Sequence, residues 1–288
     1  MPVKHILAPI DFSARSEGAA RYAEALSRIF HCRITLLHVL TPPHYEIGAM
    51  EVGGAVLEEL FEQRSQQSRK QLAEFLASEM PENLTSRVVL EGDPASRIVT
   101  LAHEEEVGLI IMPTHGYGPF RRFILGSVTA KVLHDADCPV WTGVHLEAAS
   151  VDAIHLRTIV AALDFGPQSE RTLMWASRFA QGTGAALKVV HATPNLEGKA
   201  GEYFDPEWKQ HIEANARDEA ARLLDRLGLQ ATVYLKNGDP AQTVCELSKE
   251  AGGNLLVIGR GSASGVFGRM RANAYSIIRQ SHCPVVSV

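Results

Sequence analysis

Apolar residues along this chain fall into two alternating patterns: short continuous runs, and longer stretches with apolar positions every three or four residues. The short runs, rich in Val, Ile and Leu, are typical of buried strands, and the longer pattern is typical of helices packed on one face. In the first half the runs predict strands at residues 4–10, 33–40, 86–90, 108–113 and 139–144. In the second half they predict strands at residues 158–163, 186–192, 231–235, 254–259 and 284–288.

Start signals mark the helices predicted between these strands. Ser13 can cap a helix whose apolar face includes Leu26 and Phe30. Asp93-Pro94 opens another helix, since Asp is a favoured N-cap and the missing N–H of proline costs nothing at the first helical position. Further helices are predicted at residues 57–80, 127–134 and 206–227, and residues 41–56 are predicted to form an apolar loop.

Strands that alternate with helices favour a parallel sheet covered on both faces, so each half is predicted to be a doubly wound, five-stranded α/β domain. We expect strand order 3-2-1-4-5, in which strands 1 and 4 lie side by side at the switch point. Ligands of such sheets bind at this point, beyond the carboxyl ends of the strands. Asp11 follows strand 1 and the loop 113–127 follows strand 4, so both are predicted to meet in one crevice.

The second half of the chain repeats landmarks of the first. ILAPIDFS at residues 6–13 returns as IVAALDFG at 159–166, GDPA at 92–95 returns at 238–241, and CPV at 138–140 returns at 283–285. Their separations are 153, 146 and 145 residues, and landmarks in one order at nearly one separation indicate a duplicated domain. The two domains are predicted at residues 1–148 and 155–288.

Composition narrows the classes of function. The 288 residues are 45% hydrophobic and 21% charged, which suits two globular domains in water. A net charge of −5 and a pI near 6.2 argue against general nucleic-acid binding. No apolar run of about 18 residues predicts a membrane span. The first residues have no signal-peptide layout, so we expect a cytoplasmic protein without a membrane partner.

Four cysteines are present, at positions 32, 138, 245 and 283. Cys138 comes just before strand 5 of the first repeat, and Cys283 comes just before strand 5 of the second. No CxxC or HxxxH spacing occurs. We therefore interpret the cysteines as small buried hydrophobic residues in a reducing compartment, and we predict no metal site.

The loop after strand 4 carries candidate phosphate-binding residues. Gly116 and Gly126 let backbone N–H groups approach a phosphate without an intervening Cβ, and Ser127 opens a helix whose N-terminal N–H groups favour an anion. Ser127 and Thr129 add hydroxyl donors, and the arginines at 121–122 either raise the local positive potential or are simply solvated. The glycine spacing alone is weak, because no Walker A run is present. Its position after strand 4 strengthens the prediction.

Several residues near this crevice allow more than one role. Asp11 caps the following helix, accepts a hydrogen bond from a ribose hydroxyl, or does both. The backbone of Val39 could meet an adenine edge, whereas His38 is interpreted as a packing residue. His115 either contacts a phosphate or faces solvent.

The chain resembles a tandem universal stress protein of the UspA type over nearly all of both halves. The resemblance lies in residues 6–13, 36–39, 92–94, 112–116, 126–129 and 138–140. It implies a Rossmann-like, adenine nucleotide alpha hydrolase-like fold in each domain. It also implies a stress-response protein that binds ATP, ADP or AMP, with or without Mg²⁺, and is not a metabolic enzyme with catalytic residues.

The ATP-binding branch of that family has the motif Gly-x-x-Gly, nine residues, then Gly-Ser/Thr. Here Gly116 and Gly126-Ser127 match, but Pro113 replaces the first glycine. Because proline has no N–H, one backbone donor to the nucleotide is lost. By resemblance, Asp11 and Val39 hold the adenosine, and Pro113, His115, Gly116, Gly126, Ser127, Val128 and Thr129 surround the phosphates.

The second copy keeps Asp164 but departs from the motif, with Gly259 at the first glycine and Ser262 at the second. Counting nine residues onward places Ala272-Asn273 at Gly-Ser/Thr, whereas counting back from the Cys-Pro landmark places Arg271-Ala272 there. We therefore expect weak or no ATP binding in the second domain. A different anionic ligand, held by the arginines at 260, 269 and 271, is the alternative.

Other functions and assemblies stay open. The protein could be an enzyme, such as a slow ATPase with Asp11 holding Mg²⁺, or a nucleotide-free scaffold that binds partner proteins. The resemblance implies that the fifth strands of the two domains pair as an intramolecular pseudo-dimer, and two chains could form a homodimer. Residues 47–56 are either a lid or interface or a plain loop.

Overall fold

The computed structural model describes residues 3–42, 54–80, 82–115, 125–143, 154–194, 206–260 and 268–288. The chain divides into two compact units, Val3–Ile154 and His155–Val288. Each unit alternates strands and helices, which confirms the predicted doubly wound α/β class. The domain limits at residues 148 and 155 stay predictions.

Each unit has five strands and four helices among its described residues. In the first unit these are β1 (His5–Pro9), α1 (Ala14–Phe30), β2 (Arg33–Leu40), α2 (Gly54–Glu74), β3 (Thr85–Glu91), α3 (Pro94–Glu104), β4 (Leu109–Ile111), α4 (Ser127–Asp135) and β5 (Val140–Thr142). In the second they are β6 (Thr158–Ala162), α5 (Ser169–Thr183), β7 (Ala186–Thr193), α6 (Pro206–Leu227), β8 (Thr232–Asn237), α7 (Pro240–Glu250), β9 (Leu255–Ile258), α8 (Gly268–Gln280) and β10 (Val285–Ser287).

The strands of both units have the predicted order. In the first unit β3, β2, β1, β4 and β5 are neighbours in that order, with parallel pairing. In the second unit β8, β7, β6, β9 and β10 follow the same order. Ile6 pairs with Ile34 on one side and Leu109 on the other, and Ile159 has the same central place in the second unit. The carboxyl ends of strands 1 and 4 of each unit therefore lie side by side at a switch point.

The central strands form the core of each unit because helices cover both faces of the sheet. Ile6 and Leu7 of β1 are fully buried, as are Ile159 and Val160 of β6. Burial on both faces explains why these segments are continuous apolar runs and not alternating ones. Each buried Å² of apolar surface contributes roughly 25 cal/mol to folding.

The repeated Gly-Asp-Pro motif starts a helix in each unit. The Asp93 side chain accepts a hydrogen bond from the backbone N–H of Ser96 at 2.9 Å and caps α3. Asp239 caps α7 in the same manner. Gly92 has a φ of 136°, and a Cβ there would lie 2.8 Å from the Nε of Arg97, so the position before the cap requires glycine.

Element boundaries differ from the predictions at several points. The helix predicted to reach residue 80 ends at Glu74, and Leu76 just beyond it adopts a left-handed φ of 46°, which a right-handed helix cannot include. The same helix begins at Gly54, inside the predicted loop 41–56, of which residues 43–53 lie outside the described residues. None of the described helices combines the length and the apolar character that crossing a membrane requires.

The four cysteines form no disulfide. Cys32 and Cys283 are buried, as predicted, whereas Cys138 and Cys245 are half-buried. Burial raises the pKa of Cys32 to about 11 and that of Cys245 to about 12, so both thiols stay protonated at neutral pH. Since the thiolate is the reactive form, these two cysteines have the character of packing residues.

Candidate functional site

A cavity of about 210 Å³ lies at the switch point of the first sheet. It is bordered by the carboxyl ends of β1, β2 and β4 and by the N-terminal turns of α3 and α4. Most of its lining is apolar, with Ile10 and Met112 among the walls. The polar side chains that line it are those of Asp11, His38 and Thr129.

The carboxylate of Asp11 organises the turn after β1. Its Oδ1 accepts hydrogen bonds from the backbone N–H of Ser13 at 3.1 Å and from the Ser13 hydroxyl at 2.5 Å. Ser13 in turn caps α1, since its Oγ accepts a hydrogen bond from the backbone N–H of Ser16 at 3.2 Å. The cap is therefore Ser13, and Asp11 orients it. The second carboxylate oxygen of Asp11 makes no hydrogen bond to any described residue, which leaves it available to a ligand hydroxyl.

His38 supports the same turn from β2. Its Nδ1 lies 2.8 Å from the carbonyl oxygen of Ile10, and its ring packs on Phe12 with the ring centroids 4.5 Å apart. Since a carbonyl oxygen only accepts, Nδ1 is the donor of this hydrogen bond. Phe12 has a φ of 61°, which is rare for a bulky residue. These contacts support the interpretation of His38 as a packing residue.

The second domain repeats this arrangement. The Nδ1 of His191 lies 2.7 Å from the carbonyl oxygen of Leu163, and its ring centroid lies 4.5 Å from that of Phe165. Phe165 has a φ of 56°, close to that of Phe12. The contacts between histidine, phenylalanine and the carbonyl before the acidic residue are thus repeated in both domains.

Two hydrogen bonds tie the loop after β4 to the start of α4. The backbone N–H of Gly126 donates to the Thr114 carbonyl at 2.8 Å, and the Thr129 hydroxyl donates to the Pro113 carbonyl at 3.0 Å. A Cβ on Gly126 would lie 3.3 Å from both the Cα of His115 and the Thr114 carbonyl oxygen. Glycine thus lets two backbone segments approach closely here, whereas the sequence suggested only that Gly126 lets a phosphate approach.

His115 is buried, and its Nδ1 lies 3.0 Å from the hydroxyl of Thr114. The alternative in which His115 faces solvent is therefore wrong. Gly116 and the arginines at 121–122 lie outside the described residues.

The helix beside the cavity begins at Ser127. Its N-cap residue is Gly126, which has no side chain to cap the first N–H groups. The N–H groups of a first helical turn lack intrahelical partners and carry partial positive charge. Val128 and Thr129 in this turn line the cavity. The cavity therefore borders a helix terminus that favours an anion.

Pro113 forms part of the cavity wall. In the second domain the corresponding residue is Gly259. A Cβ on Gly259 would lie 3.0 Å from the hydroxyl oxygen of Thr172, so a larger residue at this position needs a smaller neighbour on the helix. The residue that corresponds to Thr172 in the first domain, 153 positions earlier, is Ala19. The first domain thus combines a proline in the loop with a small residue on α1.

A second cavity, of about 220 Å³, occupies the switch point of the second sheet. Its carboxylate is Asp164, whose Oδ1 accepts hydrogen bonds from the backbone N–H of Gly166 at 2.9 Å and from the Ser169 hydroxyl at 3.0 Å. The cavity also reaches Gln168 and Thr172 at the start of α5. The described lining of the first cavity, by contrast, includes no residue of α1.

The lining of the two cavities decides the register of the second loop. Val128 and Thr129 line the first cavity, and Asn273 and Ala274, 145 positions later, line the second. This separation equals that of the Cys-Pro landmarks. Arg271-Ala272 therefore occupies the place of Gly126-Ser127, and the count of nine residues from Ser262 is the wrong register.

Five of the nine predicted site residues line the first cavity: Asp11, Val39, Pro113, Val128 and Thr129. His115, Gly126 and Ser127 lie next to these along the chain, and Gly116 lies outside the described residues. The wall that α3 contributes, Pro94 and Ile98, was not predicted from the sequence. The repeated Gly-Asp-Pro motif was the available signal, but it was used only as a helix start. Within the described part of the chain, no group of three or more His, Cys, Asp or Glu residues could hold a metal ion.

The fold and the cavities define a tandem α/β protein with a doubly wound domain and a switch-point cavity in each half. The model of the universal stress protein family matches residues 2–142 and 155–288, and the chain belongs to that family. The resemblance seen in the motifs is confirmed, with two such domains in tandem.

Relatives of similar length support the tandem arrangement. A universal stress protein of Mycolicibacterium smegmatis is 25% identical over 294 residues, which span 98% of this chain and 96% of the relative. The crystal structure of a universal stress protein from Archaeoglobus fulgidus covers 98% of this chain and 95% of its own, with a TM-score of 0.68 and 20% identity. That likeness concerns the fold alone.

Adenine nucleotides occur with some members of the family. One solved universal stress protein is in complex with cAMP, and another, from Archaeoglobus fulgidus, is in complex with dAMP. These structures cover 47% and 46% of this chain and 98% of their own, with 24% and 21% identity and TM-scores of 0.33 and 0.35. Likeness of that size does not transfer their ligands to this chain.

Proposed function

We propose that the first domain binds an adenine nucleotide, ATP, ADP or AMP, with or without Mg²⁺, as the ligand of a stress-response protein. The adenosine lies in the first cavity against Asp11 and Val39. The phosphates lie beside the loop that starts at Pro113 and continues through His115 and Gly116, and beside residues 126–129. The second domain is a degenerate partner for this ligand.

One observation carries the proposal: a single cavity is lined both by Asp11 and by the first turn of α4. The available oxygen of Asp11 can accept a hydrogen bond from a sugar hydroxyl, as acidic residues do in other doubly wound folds. The first-turn N–H groups of α4 favour a phosphate. A nucleotide is the ligand class that carries both groups.

The size of the cavity supports a division of the ligand between two environments. A volume of about 210 Å³ lies below the range of about 300–1,000 Å³ that is common for pockets enclosing drug-sized ligands. The cavity therefore suits a nucleoside, and the phosphates extend beyond it toward the loop. Its mostly apolar walls suit the base.

Mass spectrometry of ligand released from the denatured, purified protein tests whether a nucleotide is bound.

Titration calorimetry with ATP on variants of each domain tests which domain binds it. Asp11→Asn and Asp164→Asn form a matched pair. Asparagine keeps a side-chain oxygen that can hold the turn but places an NH₂ group where the second carboxylate oxygen stood. We expect Asp11→Asn to weaken ATP binding about tenfold and Asp164→Asn to leave it unchanged. Absence of heat and of any thermal shift at millimolar ATP would contradict the proposal.

Binding without hydrolysis is what the site favours. Asp11 is the single carboxylate among the described residues that line the first cavity, and its Oδ1 is already engaged by Ser13. Sustained phosphate release from ATP by the purified protein, lost in Asp11→Ala, would instead establish a slow ATPase.

Assembly and location stay predictions. Pairing of the two fifth strands within one chain, a homodimer of two chains, and a cytoplasmic location follow from the family resemblance and the composition. Size-exclusion chromatography with light scattering measures whether one or two chains are present in solution.

A further inference from the structure

We propose that Phe12 and His38 are positioning residues, which together aim the carboxylate of Asp11 at a ribose hydroxyl of the nucleotide. The inference rests on the proposed function in one respect, namely that Asp11 faces the sugar of a ligand in the first cavity. It goes further by naming the residues that make the site selective for a sugar that carries hydroxyl groups. His38 thus has a task in addition to packing.

Phe12 lies between Asp11 and Ser13 and adopts a left-handed backbone conformation, with a φ of 61°. This conformation costs roughly 1–2 kcal/mol for a residue that has a Cβ, and glycine or asparagine adopts it more readily. Such an outlier persists only where the surrounding contacts determine it, and outliers of this kind concentrate at ligand sites. The strain therefore points to a role for the phenylalanine ring that glycine could not supply.

Two side chains hold the ring of Phe12 in place. Its centroid lies 4.5 Å from that of His38, with the planes tilted by 41°, and 5.9 Å from that of Phe75, with the planes at 71°. His38 belongs to β2 and Phe75 directly follows α2, so two separate elements hold the ring. Aromatic pairs at such distances are worth about 0.5–1.5 kcal/mol each, which is comparable to the cost of the strained backbone.

His38 also fixes the residue on the other side of Asp11. Its Nδ1–H donates to the carbonyl oxygen of Ile10 at 2.8 Å, and the backbone N–H of Ile10 donates to the carbonyl oxygen of Leu37 at 2.8 Å. Both neighbours of Asp11 in the chain, Ile10 and Phe12, are therefore held by β2. With these neighbours fixed, Asp11 has little freedom to turn its carboxylate away from the cavity that it lines together with His38.

The second domain repeats these contacts 153 positions later in the chain. The Nδ1 of His191 lies 2.7 Å from the carbonyl oxygen of Leu163, whose backbone N–H donates to the Val190 carbonyl at 3.1 Å. The ring centroid of His191 lies 4.5 Å from that of Phe165, which also has a left-handed φ, of 56°. A strained turn that recurs with the same pair of side chains around it is not an accident of packing at one place.

The hydrogen bonds that the two carboxylates accept are, in contrast, different. Asp11 accepts from the N–H and the hydroxyl of Ser13, whereas Asp164 accepts from the N–H of Gly166 and the hydroxyl of Ser169. A histidine and a phenylalanine that served only one helix start would have no reason to recur where the partners differ. Common to both domains is a carboxylate held after the first strand, beside a switch-point cavity. Placement of the carboxylate is therefore the task of the pair.

Titration calorimetry on the full chain with ATP and with 2′,3′-dideoxy-ATP, which lacks both ribose hydroxyls, isolates this role. We expect the unaltered protein to bind ATP about tenfold more tightly, because the dideoxy ligand loses a hydrogen bond to a charged group. In His38→Leu, which lacks the donor and the ring, the affinity for ATP should fall to that for the dideoxy ligand, which stays unchanged. Phe12→Gly removes the ring, adopts a left-handed φ without strain and should have the same effect.

Two further variants serve as controls. His38→Asn keeps an NH₂ donor where Nδ1 stood, and we expect it to recover part of the preference for ATP that His38→Leu loses. His191→Leu makes the same change in the second domain and should leave both affinities as they are in the unaltered protein. Urea denaturation of each variant shows that the titrated chain is folded.

Three results would overturn the inference and leave ATP binding in place. They are equal affinities of the unaltered protein for the two ligands, a preference for ATP that survives in His38→Leu, and equal losses for both ligands in that variant, as a merely structural role predicts. Phe12→Gly decides between these results should His38→Leu not fold. A preference lost in His191→Leu alone would assign the sugar to the second domain and overturn the inference as well. A protein that binds neither ligand refutes the proposed function, and the inference falls with it.

Discussion

Cavities of nearly equal volume lie at the switch point of the sheet in both domains. The helix that borders the cavity, however, begins at a different position in each domain. In the first domain the neighbouring helix starts at Ser127, beside the cavity, whereas in the second it starts at Gly268, about one turn earlier in the shared register. In the turn after the first strand, both domains repeat the contacts of a histidine with a carbonyl and with a phenylalanine ring. A common fold thus supplies the enclosure in both domains, and the two domains differ in the point at which the neighbouring helix begins.

The largest expected difference between the domains comes from Gly126→Val. The added side chain meets the backbone of Thr114 and His115, where a Cβ alone already lies at 3.3 Å. Forcing these segments apart costs about 1–3 kcal/mol and disturbs the phosphate side, so ATP affinity falls by up to about 100-fold. Calorimetry measures the loss, and Gly126→Ala serves as the graded control with a smaller effect. Unchanged ATP stoichiometry in Gly126→Val would place the nucleotide in the second domain.

A smaller effect is expected when the tie between loop and helix is removed. In Thr129→Val the Pro113 carbonyl loses the hydroxyl donor that lies 3.0 Å away, in a buried position. Leaving a buried acceptor unpaired lowers the free energy of unfolding by about 1–3 kcal/mol. Urea denaturation measures it, and Thr129→Ser, which keeps the hydroxyl, is the control. Equal losses in the two variants would show that the hydrogen bond is not the cause. The second domain has Ala274 at this position and lacks the tie.

The domains also differ in one pair of neighbouring residues, Pro113 and Ala19 in the first and Gly259 and Thr172 in the second. The energetic coupling within this pair can be measured in the second domain. Gly259→Ala places a Cβ 3.0 Å from the Thr172 hydroxyl oxygen, a contact that Thr172→Ala relieves, as Ala19 does beside Pro113. In a double-mutant cycle on unfolding free energy we expect a favourable coupling of about 1 kcal/mol. Additive single effects would mean that the loop moves away and no compensation is needed.

The smallest expected effect concerns pH and again separates the domains. His5 is buried, with Nδ1 3.3 Å from the Glu105 carbonyl oxygen and Nε2 2.8 Å from the Thr35 hydroxyl. Burial lowers the pKa of His5, so the unfolded chain binds a proton near its ordinary pKa of about 6.5 while the folded chain does not. The free energy of unfolding therefore falls as the pH drops below that value.

The second domain has Thr158 in place of His5 and lacks this group. Thermal unfolding of His5→Gln between about pH 7 and pH 5 should show a weaker pH dependence than the unaltered protein, because the group that titrates differently on unfolding is gone. An identical pH dependence in both proteins would exclude His5 as a contributor.

Periodicity carried most of the fold prediction. Strand order followed from the alternation of apolar runs and helical stretches, since right-handed crossovers leave few topologies. Helix ends were predicted less well: α2 stops at Glu74 because Leu76 turns left-handed, which no apolar pattern encodes. Ser13 was predicted to cap α1, and its contacts confirm this, whereas Asp11, also considered as a cap, orients Ser13 instead.

The register of the second loop shows why part of the site was beyond the sequence. Two counts of residues between landmarks were equally consistent with the chain, and only the side chains that face the cavity distinguished them. The role of Gly126 was hidden for the same reason, since its close neighbour is backbone of the same loop brought back by folding.

The sequence by itself determined the duplication, the doubly wound class, the strand order and the positions of Asp11, Val39, Pro113 and Thr129 near one crevice, because these follow from local periodicity and from the way parallel strands connect. Tertiary structure alone decided which residues enclose the cavities, that His115 is buried, and that the helix beside the second cavity starts a turn early. Those facts depend on distances between segments far apart in the chain, which local patterns do not contain.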